Sequence, residues 1–377
     1  MKQVSAAIIC AIALAVLATP ATARIKLASL PDRDQITLRL DNAFFNLIEE
    51  ERVLTLQQGV NTIDFSWKGV HIDAGSIQIR PVDPKSAVKI LNVSYPPGEN
   101  ALVWEVASPT PGVEAFRIAY LLSNIGRSYA YHGTVQQNEK ALQLESRIQL
   151  NNQSGEKFTK LAIRRGFGTD FTKDLDKGEA KKMLFFKRQS VPIKKDFVWD
   201  SALQPHDPFY QQKTVGIPFY FVFKNDPKHS LGAFPIDAGK MRLFQLDSQG
   251  TTAFIGEDNV PLTPISREVR LYLGDTRDIK VTRKQLETRS TNIKKNKKER
   301  IVMIDQEEDY EIEVESFKKE AVKLKIVEHF EGEWMFKPKG SIQNKRFDVE
   351  TLHLFVPLSP GQKTTLKFTI VKRHLLK

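Results

Sequence analysis

Cysteine is all but missing. One residue of 377, Cys10, carries a thiol, which excludes disulfides within the chain and multi-thiolate metal sites and leaves stability to packed apolar cores. Long apolar runs are also scarce. The longest, 6–17, is uncharged and sits at the N-terminus, yet a dozen residues falls short of the roughly twenty that span a bilayer. Helical periodicity is weak throughout; the best candidate is 41–50, and that stretch also reads as a strand pair. Of seven histidines, only the one in "EHFEGEWMF" stands in a pattern with acids. No G-x-S-x-G elbow, H-E-x-x-H helix or phosphate-binding glycine loop occurs.

The first residues form an export signal over 1–23. Lys2 supplies the positive start, 6–17 the apolar core, Pro20 a helix breaker and Ala21-Thr22-Ala23 a small-x-small cleavage site. Cleavage would remove Cys10 and leave a cysteine-free mature chain for the periplasm or the extracellular space, with no transmembrane segment. The net charge is +11. Outside the cytoplasm a basic surface meets anionic envelope polymers rather than nucleic acid, or is simply a solvated face.

Alternation with period two dominates the remainder. Ile36, Leu38 and Leu40 alternate with Thr37 and Arg39, Ile77 and Ile79 with Gln78 and Arg80, and Val302, Ile304, Ile312 and Val314 continue the pattern. Turn signals at Gln58-Gly59, Pro96-Pro97-Gly98, Ser154-Gly155, Gln249-Gly250 and Ser359-Pro360-Gly361 separate the runs. The fold class expected is mainly β, with few helices and two to three β-sandwich-like domains, the C-terminal one immunoglobulin-like. Pro109, Pro111 and Gly112 suggest a linker. The expected order is a signal peptide (1–23), an N-terminal β domain (24–112), a central β domain (113–275) and a C-terminal sandwich (276–377). Within the central part, "GFGTDFTKDLDKGEAKKMLFFKRQS" reads as an exposed Lys-rich excursion.

The charged residues are the candidates for chemistry. Glu257 and Asp258 are neighbours on an extended segment and point to opposite faces, whereas a general acid and base must converge on one atom. They follow the turn Asp247-Ser248-Gln249-Gly250 and break its second strand at Gly256. Asp275 and Asp278 read as turn acids that accept backbone N–H bonds; the two loops could also meet around a calcium-like ion. In "YEIEVESFKKEAVKLKIVEHF", a hairpin would set Glu313 against Lys323, Glu311 against Lys325, Ile312 against Leu324 and Val314 against Val322. His329, Glu331 and Glu333 would share a strand face as weak metal candidates, except that Gly332 favours a turn. Lys294, Lys295, Lys297, Lys298 and Arg300 form the strongest basic cluster, followed at once by Asp305, Glu307, Glu308 and Asp309. It reads either as one arm of a charge-paired strand-turn-strand or as a polyanion-binding loop. Trp67, Trp104, Trp199 and Trp334 are spread along the chain, and Trp199, Phe209 and Tyr210 lie in a proline-bearing segment that could stack on sugars; core filling is the alternative.

Several stretches carry a resemblance: "AYLLSNIGRSYAYHG", "ESRIQLNNQSGEKFTKLAI", "FPIDAGKMRLFQLDSQGTTAFIGEDNVPLTP", "REVRLYLGDTRDIKVTRKQ" and "FVPLSPGQKTTLKFTIVKR". In this order they resemble exported bacterial proteins with a domain of unknown function, often labelled mucoidy-inhibitor-A-like. "RVLTLQQGVNTIDFSWKGVHIDAGSIQIR" is similar, more weakly, to that family's N-terminal β domain. The coiled coil that commonly joins the two parts is absent here. The resemblance implies an exported, mostly β protein with an envelope-related role, and no catalytic residue or cofactor. The reading is therefore a non-catalytic envelope protein that binds or organises envelope protein or polysaccharide. Its rival is a secreted enzyme using Glu257, Asp258, Asp275 or Asp278, or a glycan-binding module.

Overall fold

The computed structural model describes residues 28–42, 44–204 and 216–376. The expected signal 1–23, Cys10, Phe209 and Tyr210 lie outside them. Strands fill the described chain. In order they are β1 (Ala28–Ser29), β2 (Gln35–Arg39), β3 (Asn46–Leu56), β4 (Gly59–Ser66), β5 (Gln78–Pro81), β6 (Lys89–Ser94), β7 (Ala101–Ser108) and β8 (Gly112–Leu122). There follow β9 (Ile125–Val135), β10 (Ala141–Asn152), β11 (Phe158–Arg164), β12 (Phe171–Leu175), β13 (Ala180–Pro192), β14 (Lys194–Asp200), β15 (Ile217–Lys224), β16 (Gly239–Leu246) and β17 (Thr252–Val260). The last are β18 (Glu268–Thr276), β19 (Ile279–Lys295), β20 (Ile301–Ser316), β21 (Val322–His329), β22 (Glu333–Lys339), β23 (Gln343–Arg346), β24 (Thr351–Leu358) and β25 (Lys363–Leu376). Helical structure among the described residues is confined to three short 3₁₀ turns. The fold is mainly β, as its alternation predicts.

The chain divides into two compact units, 1–126 with 151–181, and 127–150 with 182–377. In the first, a four-stranded sheet β1-β4-β7-β6 and a six-stranded sheet β12-β11-β2-β3-β8-β5 bury their facing rows. Ile36, Leu38 and Leu40 point inward as the alternation requires, and Phe65 of β4 lies 5.6 Å from Trp104 and 5.9 Å from Tyr120 of β8, ring centre to ring centre. The stretch 41–50 is not helical. Its second half opens β3, which pairs with β2 on one side and β8 on the other; two ladders outweigh the helix propensity of the Glu-rich run.

The expected boundary at 112/113 does not follow the sheets. The Pro109–Gly112 turn carries the chain from β7 in one sheet to β8 in the other, so it spans the first unit's sandwich instead of leaving it. The position 275/276 likewise falls between β18 and β19, which lie in the two sheets of one sandwich. Nor is 166–190 a plain excursion, because it supplies β12 and most of β13 and buries Met183, Phe185 and Phe186.

The second unit contains a five-stranded sheet, β13-β10-β9-β16-β17, and a sandwich of the six-stranded β18-β15-β14-β21-β24-β23 and the four-stranded β19-β20-β25-β22. One core joins the last two. Phe197 and Trp199 of β14, Leu324 and Ile326 of β21 and Leu352, Leu354, Val356 and Leu358 of β24 face Tyr310, Ile312, Val314, Phe368 and Ile370. Each such side chain contributes about 1.5–3 kcal/mol by leaving water.

The hairpin expected between Glu311 and Lys325 is absent. Strand β20 pairs with β19 and β25, and β21 with β14 and β24. Residues 317–321 instead arch between sheets, so Ile312 and Leu324 share a core across the sandwich. The acids still meet lysines, on other strands: Lys284 lies 3.0 Å from Glu313, and Lys367 lies 2.8 Å from Glu311.

Candidate functional site

The four carboxylates of the enzyme reading do not converge. Glu257, opposite Arg242 in the β16–β17 ladder, is held by Lys240 at 2.7 Å and Arg242 at 3.2 Å, and the lysine's hydrogen bond keeps its carboxyl below the usual range. Strand β17 runs on through these residues with a bulge and is not broken at Gly256. Asp258 accepts the backbone N–H of Tyr272 at 2.7 Å, Asp275 accepts the Tyr272 hydroxyl at 2.9 Å, and Asp278 pairs with Lys318 at 3.1 Å. Asp258 and Asp275 thus share Tyr272, Glu257 and Asp278 are held by cations elsewhere, and Asp275 lies in β18 instead of the expected turn.

His329, Glu331 and Glu333 are divided between two sheets. His329 ends β21 with Nε2 2.9 Å from Asp200, Gly332 turns the chain at φ +77°, and Glu333 opens β22 with His374 at 2.9 Å. No cluster of three or more metal-ligating side chains occurs among the described residues. The four tryptophans are all buried. Trp199 in particular faces the sandwich core and so cannot serve as a sugar platform.

The basic cluster caps a long hairpin. Strands β19 and β20 pair as far as Lys295 and Ile301, and 296–300 form the turn, with Asn296 Oδ1 accepting the amides of Lys298 and Arg300. Residues 292–300 are all exposed. Only Lys295 of the five cations has an ion pair among the described residues, to Glu299 at 2.9 Å. The acids that follow are taken by other cations: Glu307 and Asp309 by Arg289, Lys337 and Lys339, and Glu308 by Lys372. The hairpin is present, but its tip is not neutralised by its own second strand.

A second charged surface went unread in the sequence. The outward face of the six-stranded sheet in the second unit forms an open groove of about 450 Å³. Strand register aligns its floor: Lys325 lies beside Val198 and Phe355, and Val327 beside Asp200 and His353. Arg270 of β18 reaches over the Tyr220 ring at 4.7 Å and binds Asp196 at 2.6 Å, so that acid is occupied. Lys325, half-buried, has no ion pair or hydrogen bond among the described residues. Burial, then Arg270, holds its ammonium below the usual lysine range. His353 stacks on Phe347, an exposed ring 4.8 Å away, and burial followed by Lys325 and Lys345 pushes its imidazole down as well. Asp200 and Asp348 also line the groove, and Asp196, Glu268 and Asp348 partly offset these cations, so its charge is mixed and Lys325 is the cation with no direct partner among the described residues. The available signal was the outward position of each strand: Lys325 and His353 occupy the polar slots of "VKLKIV" and "LHLF".

No protein-family model matches the chain, and no curated protein matches it. No helix among the described residues is long and apolar enough to cross a membrane.

Proposed function

We propose that this is an exported, non-catalytic β protein of the cell envelope that binds or organises envelope components, and that the groove over β14, β15, β18, β21 and β24 receives an acidic polymer such as an anionic polysaccharide. The resemblance to the mucoidy-inhibitor-A-like proteins enters as part of this proposal. The observation that carries it is the unpartnered, half-buried Lys325 ammonium beside His353. Asp196 and Glu268 act on it only through space, so an incoming carboxylate would supply the direct partner it lacks among the described residues. The engagement of Glu257 and Asp278 by cations, and of Asp258 and Asp275 by Tyr272, supports binding over turnover. The hairpin tip at Lys294, Lys295, Lys297, Lys298 and Arg300 offers a second contact to the same kind of ligand.

The test is retention of the mature protein on heparin and on a polyuronate, against neutral dextran, as salt is raised. Wild type should be retained by both acids and not by dextran. Lys325→Ala should elute earlier, with a salt slope smaller by about one. Charge reversal at Lys294, Lys297 and Lys298 tests the hairpin separately. Retention of Lys325→Ala equal to wild type, or equal binding to dextran, would overturn the groove assignment.

A further inference from the structure

The first unit holds a different kind of site. Its cavity, of about 270 Å³, is bordered by Arg33, Arg52, Asp64, Phe65, Trp67, Tyr120 and Glu156 among others. Its charged wall is built across the chain. Glu50, fully buried in β3, accepts from Arg52 Nε at 2.9 Å and lies 2.5 Å from Arg33 Nε, near enough for an ion pair but not aligned as a hydrogen bond. Arg33 also binds Glu156, and Arg52 donates to the Pro31 carbonyl. Behind them Tyr120 is completely buried, and its hydroxyl has no hydrogen-bond partner. A buried hydroxyl with no partner in the chain is open to a hydrogen bond with a water or a ligand that enters the cavity.

The walls are held in place. Gly155, at φ +91°, brings its backbone so close to the Gly69 carbonyl that a Cβ would lie 2.0 Å from that oxygen. The His71 amide donates to Ser154 at 3.0 Å, and buried Asn152 donates to the Glu156 carbonyl at 2.7 Å. This clamp fixes Glu156 against the loop that carries Trp67 and Val70, so the cavity is pre-formed.

We infer that this cavity binds one neutral polyhydroxylated ring, a single sugar unit. Its volume lies just below the range of about 300–1,000 Å³ typical of drug-sized ligands, which suits one ring with its hydroxyls. Phe65, Trp67 and Tyr120 border the cavity, with only the small aromatic surface that their burial leaves. The guanidinium groups of Arg33 and Arg52 and the carboxylates of Asp64 and Glu156 line it in equal number, so neither a strongly anionic nor a strongly cationic guest is favoured. Asp64 has neither hydrogen bond nor ion pair among the described residues and is free to accept from a ligand hydroxyl. Burial, with Glu99 adding to it, raises its carboxyl.

Saturation-transfer NMR with tryptophan fluorescence tests this, using the mature protein and D-glucose, D-galactose, D-mannose and N-acetyl-D-glucosamine, with D-glucuronate and D-glucosamine as charged comparators. At least one neutral sugar should bind saturably and more tightly than either charged sugar. Tyr120→Phe and Asp64→Asn should each weaken it about five-fold or more, as expected for one lost hydrogen bond. Without sugar, Tyr120→Phe should melt at or above the wild-type temperature, because the orphaned hydroxyl is gone. No saturable response to any neutral sugar, preference for a charged one, or unchanged affinity in both variants would overturn the assignment.

Discussion

Arg283→Met should destabilise the C-terminal sandwich in a pH-dependent way. Arg283 Nε reaches both oxygens of Glu328, at 2.9 and 3.1 Å, and its guanidinium lies 4.4 Å from the centre of the Tyr310 ring. The Glu328 side chain is completely buried, and burial raises its carboxyl while Arg283 draws it back. Methionine keeps most of the volume but strands the acid, a change that typically costs about 3–5 kcal/mol. The charge-related part has a ceiling, since the acid can take up a proton instead. From the ordinary value of 4.5, neutralisation costs at most about 3.4 kcal/mol at pH 7 and about 0.7 kcal/mol at pH 5, at 1.36 kcal/mol per pH unit. The sign follows from linkage: a raised folded-state value means the folded form holds a proton that the unfolded form releases, so stability falls as pH rises above 4.5. Thermal unfolding followed by Trp199 and Trp334, which share this core, should show a melting-point loss of about 7–14 °C at pH 7, at about 2–4 °C per kcal/mol. Most of that loss should vanish at pH 5. Adding Glu328→Leu should recover most of it at pH 7, because an apolar pair replaces an ion pair at little net cost. A loss of equal size at both pH values would refute the claim that Arg283 acts by neutralising a buried charge.

Two further outcomes follow from single positions. Gly155→Ala should lower the melting point of the first unit and abolish the response of its cavity to sugar, since alanine meets both a positive φ and the Gly69 carbonyl; the strain alone is about 1–3 kcal/mol. Sugar binding at wild-type strength would show that the clamp does not shape the cavity. Asp309, bound by Lys339 and then Thr369, has its carboxyl lowered from 3.8 to about 2. Asp309→Asn should therefore cost about 1 kcal/mol at neutral pH, taking the roughly 2 kcal/mol implied by the shift and halving it for the solvent-screened partners. A lowered folded-state value stabilises above 3.8 and is lost as pH falls toward 2, so the gap between variant and wild type in urea titrations should close on acidification. A gap that widens would reverse the assignment.

What the sequence made legible, and what it hid, follows from how a sandwich is wired. Period-two alternation reports the facing of each strand without reference to its neighbours. Ile36, Leu38 and Leu40 thus sit inside as read, and Asp247 to Gly250 turn as read, with the Gly250 amide bonded to the Asp247 carbonyl at 3.2 Å. Pairing is another matter. When consecutive strands arch between sheets, the neighbour in sequence is the partner across the core and not the partner in the ladder. Glu311 and Glu313 therefore found lysines at 284 and 367, and Lys325, assigned to them as a cross-strand mate, was released to stand alone in the groove. The same wiring concealed the cavity of the first unit. Arg33 and Glu156 are 123 positions apart, Glu50 lay in the segment with the best helical pattern, and Tyr120 stood in no motif or spacing that set it apart. No local spacing joins them. In a chain of this architecture, binding sites assemble from ladder partners that sequence distance does not rank, and the useful local signal is a charge or hydroxyl occupying a slot whose facing the alternation has already determined.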